Sequence, residues 1–178
     1  MLMDLHSLLS ASLTLKKLNI IADTIISDKE KFNELFEMIF DTNVKIAWHA
    51  AWAVEKISEK DCSFFSEEQI ERLILLSIQA TNNSLKRSVL SVIINLPLPE
   101  NLSVEFINVC FERMISMKEP VAVQALSMRL LQRIAEKEPE FIPEILVTLE
   151  NVDLTAVSAG YLAIRKNVMK VLNARLKS

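Results

Sequence analysis

Residues able to do chemistry are few in this chain, and their spacing brings hardly any of them together. His6 and His49 are the only histidines, and Cys62 and Cys110 the only cysteines. Neither histidine stands close in sequence to a Ser or Cys that it could activate as a nucleophile. The thiols are far apart, and no Cys-x-x-Cys or His-Glu-x-x-His spacing is present to hold a metal. With Gly160 as the single glycine, there is no Gly-rich loop to cradle a phosphate. Carboxylates are plentiful, at 23 Asp plus Glu, but helical periodicity puts them on solvated faces, where they serve solubility rather than paired acid and base work. The expectation is a chain that is not an enzyme, with no metal, no cofactor and two reduced thiols.

The spacing suits binding better. Projecting residues 44 to 60 as a helix puts Ala47, Ala51, Val54 and Ser58 on a buried side and Lys45, His49, Trp52 and Lys56 opposite, with Trp48 flanking that stripe one turn from Trp52. Trp beside Lys on an exposed strip is the composition of a binding hot spot. The same projection turns Arg87, Ser91 and Asn95 outward in the next helical pair. In the third it turns out Arg129, Gln132 and Arg133, and in the last Arg165, Lys166 and Lys170. Read together, these side chains form a ladder for a partner. The competing explanation for the tryptophans is lateral packing between neighbouring repeats.

The elements that must carry this ladder are helices. At 178 residues and 51% hydrophobic, the chain can bury about 70% of its unfolded surface without a metal or disulfide, so one domain spanning 1–178 is expected. A lone glycine and few aromatics exclude a turn-rich β fold. Between Phe40 and Glu138 one device occurs three times: an apolar helix, a tight polar turn, and a second apolar helix with Lys or Arg on its outward face. The turns read Asp41-Thr42-Asn43, Thr81-Asn82-Asn83-Ser84 and Lys118-Glu119-Pro120, a period in the range of stacked helical pairs. Helices are expected over 29–40 with 43–59, 66–80 with 84–96, 103–117 with 120–137, and 140–150 with 154–176. A leading helix at 13–26 and a short turn of helix in the first 10 residues come before them. Ser66-Glu67-Glu68-Gln69 reads as a capping box, Asp28 and Ser103 as helix starts, Pro120 as a first-turn proline, and Pro97 with Pro99 as a helix stop.

Thr42-Asn43-Val44-Lys45, followed by Ala47, Ala50, Ala51, Val54 and Ile57, resembles the turn and second helix of a HEAT repeat. Asn83-Ser84-Leu85-Lys86 is similar, and Ile134 to Pro143 resembles the link into a following repeat. The resemblance covers residues 28–176 at the level of pattern, and the final pair departs from it as a capping unit would. It implies an all-α fold, a right-handed α-α superhelix of about four stacked hairpins plus a leading N-terminal helix, with the second helices lining a concave groove.

Charge sorts with this division. The leading and second helices (12–26, 43–60, 84–96, 119–137, 154–178) hold 15 Lys or Arg and 5 Asp or Glu, whereas the remaining residues hold 5 and 18. With the resemblance, that implies a positive groove and a negative outer surface, which would concentrate an acidic partner. Helix dipoles favour acids in first turns and bases in last turns and account for part of the pattern. Three functions follow. The first is a protein-interaction scaffold for an acidic or amphipathic segment. The second is a DNA-binding protein of the alkylpurine DNA glycosylase type, which the family resemblance brings in and which the groove fits poorly, since Asp23 is the only aspartate on those helices and phosphate binding would want a denser basic surface. The third is a self-associating structural subunit, with oligomeric state left open. No secretory signal and no run long enough to cross a bilayer is evident, so the cytoplasm is the expected compartment and no membrane partner is expected.

Overall fold

The computed structural model describes residues 4–177. Among them are ten α-helices and no strand. In order they are α1 (Leu5–Ser10), α2 (Leu15–Ile25), α3 (Lys29–Glu37), α4 (Val44–Ser58), α5 (Glu67–Gln79), α6 (Asn83–Asn95), α7 (Val104–Ile115), α8 (Val121–Lys137), α9 (Ile142–Glu150) and α10 (Ala159–Arg175). They gather into two compact units that divide after Pro99.

The first unit holds α1 to α6. Local side chains decide where its helices begin. Thr14, Asp28, Asn43 and Asn82 each accept a backbone N–H from the first turn, and at Ser66 the capping box is complete, with the Gln69 side chain reaching back to the Ser66 N–H at 3.1 Å. The helix α6 stops at Asn95, ahead of Pro97 and Pro99. Of the second helices, α4 packs between α2 and α6. Its inward face is nearly all small or branched: Ala47, Ala50, Ala51, Ala53, Val54 and Ile57 are buried, which lets the neighbouring backbones approach closely. The first helices α3 and α5 are joined through side chains. Arg72 of α5 holds Glu37 of α3 by two bonds of 2.6 and 2.8 Å and lies over the Phe40 ring at 4.3 Å, while Phe32 meets Phe65 edge-on.

The second unit repeats the plan with α7 paired to α8 and α9 to α10, and α8 packed on α10. The α7–α8 turn is fastened by Gln124, which donates to the Ser116 carbonyl at 2.8 Å, and by buried Arg113 beside Glu119. Pro120 is the N-cap of α8 rather than part of its first turn. The last second helix begins at Ala159, not near residue 154. Asp153 first draws the chain into a turn by accepting from the Thr155 N–H and hydroxyl, and Ser158 then caps α10. A short 3₁₀ segment at Met38–Phe40 ends the helix expected over 29–40, and another at Pro139–Phe141 overlaps the start of the one expected over 140–150.

Candidate functional site

The residues expected to form one ladder fall into two sets, one in each unit. In the first unit the outward strip of α4 consists of Lys45, Trp48, Trp52 and Lys56. The indoles of Trp48 and Trp52 stack, with centroids 5.8 Å apart and planes 24° from parallel, and both are half-exposed. This corrects the projection by one position. His49 is 3% exposed, and its Nδ1 lies 2.6 Å from the Leu9 carbonyl oxygen at the end of α1. The short α1, anchored by buried Leu5 and Leu9, covers that side of α4, so His49 is a packing residue and Trp48 takes its place on the strip. Lys45 donates to the Ser10 carbonyl at 2.6 Å.

Local acids answer much of the positive charge on this unit. Lys56 is 2.5 Å from Glu59 and 4.0 Å from Glu55, and Lys60 pairs with Asp23 of α2. Burial pushes the Glu55 carboxyl above its usual range, and the positive charges of Lys56 and Arg87 pull it part of the way back. On α6, Arg87 and Ser91 are half-exposed, and Asn95 is exposed and donates to the Ser58 hydroxyl of α4 at 3.0 Å. The first unit therefore presents an aromatic shelf set in a mixed-charge surround.

The second unit differs. Its helices α8 and α10 carry seven Lys or Arg and one acid, Glu136, whereas α7 and α9 carry four acids and one base, Arg113. Arg129 is exposed, Gln132 and Arg133 are half-exposed, and Lys166 and Lys170 are exposed. Arg165 does not join them, because its Nε donates to the Leu149 carbonyl at 2.8 Å and so closes the C-terminal end of α9. Glu136 meets Arg175 at 3.8 Å, a long contact between half-open side chains. Three basic pairs, Arg129 with Arg133, Arg133 with Lys137, and Lys166 with Lys170, are spaced i,i+4. Such like-charge spacing opposes helix formation by about 0.2–0.5 kcal/mol each.

Asn167, Lys170, Val171, Ala174 and Arg175 line an open, largely apolar groove of about 570 Å³. Val171 and Ala174 were legible as exposed apolar positions next to Lys170, but the weak amphipathicity of this last helix hid the stripe.

Both thiols are free. Cys62 is exposed, whereas burial pushes the Cys110 thiol up to about 12. Among the described residues no group of three His, Cys, Asp or Glu side chains is placed to hold a metal, and no helix is long and apolar enough to cross a membrane.

Compared with known proteins, the chain matches a family model described as a HEAT repeat domain over residues 5–172. Searches of curated proteins and of solved structures returned no match.

Proposed function

We propose, for a chain that belongs to the HEAT repeat family, that this helical repeat protein is a non-enzymatic scaffold which holds an acidic or amphipathic segment of a protein partner against its second helices. The observation that carries this reading is the charge segregation of the second unit, seven bases against one acid on α8 and α10. Helix dipoles explain Lys137 and Arg175, which lie in last turns, but not Arg129, Lys166 or Lys170, which lie in helix interiors. Holding like charges together costs helix stability, and binding an opposite charge gives that cost a use. The bases of the second unit set the approach and register of such a segment, and the Trp48–Trp52 shelf is a separate apolar surface on the first unit. The cytoplasm is the compartment proposed for this partnership.

The test is quantitative capture of partners from native host lysate by the full chain and by an Arg129→Glu/Arg133→Glu variant, with helical content checked by circular dichroism. Selective loss of acidic proteins from the variant supports the reading. An unchanged capture profile sinks it. For a partner whose capture depends on the first unit, Trp52→Ala weakens binding by about 2 kcal/mol, the scale of a hot-spot residue. Lys45→Ala changes it by less than about 0.5 kcal/mol, because the Lys45 ammonium is already bonded to the Ser10 carbonyl. Titration calorimetry on the two variants decides between an aromatic anchor and a uniformly electrostatic contact.

A further inference from the structure

The geometry points to the α10 groove as the seat of an amphipathic acidic helix, whose aliphatic stripe lies on Val171 and Ala174 and whose flanking carboxylates meet Lys170 and Arg175; this rests on the scaffold reading and names the form its partner takes. Two observations converge on it. First, the groove has an apolar floor, in which Val171 is 39% exposed beside Ala174. Second, its rims are cationic or neutral: Lys170, Arg175 and Asn167 line it, and α10 contains no acidic residue. A basic partner would be repelled, and an uncharged apolar one would gain nothing from the rim charge, so complementarity selects an acid-flanked stripe.

A helix suits the floor better than an extended strand does. Along a helix, aliphatic residues spaced three and four apart form one stripe with acids on both flanks, whereas a strand of alternating residues turns its acids away from the surface that holds its apolar side chains. On α10 itself, Asn167, Lys170, Val171 and Ala174 follow that same three-and-four spacing, so the groove runs along the helix and a partner helix can lie against it.

The experiment uses the full chain and three fluorescein-labelled 16-residue peptides read by anisotropy. One carries a Leu stripe at helical spacing flanked by Glu, one has the same composition scrambled so that the stripe is lost, and one keeps the stripe with Gln in place of Glu. The striped acidic peptide is expected to bind about tenfold more tightly than either control. Val171→Gln, which changes no charge at a partly exposed position, removes the preference for the stripe. Equal binding of the striped and scrambled acidic peptides, with both weakened by Arg129→Glu/Arg133→Glu, overturns the groove assignment and leaves the scaffold reading standing. Failure of every acidic peptide to bind overturns both. Sedimentation of the chain alone is the remaining arm: self-association abolished by Val171→Gln would assign the groove to a second copy and overturn the acidic-helix occupant.

Discussion

At the scale of single residues, burial decides more than charge does. Glu55 is 9% exposed on α4, and desolvation is the largest influence on its carboxyl, so the folded protein holds that proton more tightly than the unfolded chain. The sign follows directly. A carboxyl raised on folding penalises the native state when ionised, and the penalty fades as pH falls through the folded value toward the unfolded one near 4.5. Glu55→Gln is therefore expected to raise the urea midpoint at pH 7, with the gain shrinking toward pH 4; a gain of the same size at both would show that the substitution acts through packing instead. The thiols separate in the same way. Exposed Cys62 reacts promptly with an aromatic disulfide reagent at pH 8, and Cys110, with its thiol held at about 12, reacts only on unfolding, so one equivalent is released fast in buffer and two in denaturant. Neither environment could be read from sequence. Cys62 stands two residues before the pair Phe64 and Phe65 yet lies in an open turn, and the burial of His49 depends on Leu9, 40 residues away in a six-residue helix.

At the scale of elements, what was legible is what is local. Caps at Asp28, Ser66 and Ser103 act over three residues, so the side chain that starts the helix stands next to it in the sequence. The last helix shows the limit. Leu154, Ala156 and Val157 continue a helical apolar pattern, but Asp153 and Ser158 impose a turn, and α10 starts later. The clasp between α3 and α5 was also out of reach, since Glu37 and Arg72 are 35 positions apart and only stacking of the first helices joins them. Arg72 both forks onto the Glu37 carboxylate, holding it below its usual range, and covers the Phe36 and Phe40 rings at 5.4 and 4.3 Å. Because planarity matters to both contacts, Arg72→Lys is expected to destabilise nearly as much as Arg72→Ala, by about 1 kcal/mol in urea unfolding. Full recovery by lysine would mean that the clasp is charge alone.

At the scale of the molecule, the consequence of sorting charge between helix layers is kinetic as much as energetic. The division into basic second helices and acidic remainder was open to counting, since it needs only the order of helices. The half-exposure of the tryptophans and the α10 groove needed the packing. Long-range attraction and short-range contact answer differently to salt: the Debye length falls from about 8 Å at 0.15 M to about 3 Å at 1 M, which screens encounter before it touches a buried apolar contact. For the striped acidic peptide, stopped-flow anisotropy is expected to show an association rate that drops by about tenfold between 0.05 and 0.5 M salt, with a dissociation rate changing far less. Arg129→Glu/Arg133→Glu lowers the association rate at low salt toward the wild-type value at high salt, whereas Val171→Gln raises dissociation at every salt concentration. If the salt effect fell on dissociation instead, the bases would be making close ion pairs with the bound peptide, and the charge of this layer would be part of the contact and not a field that guides it.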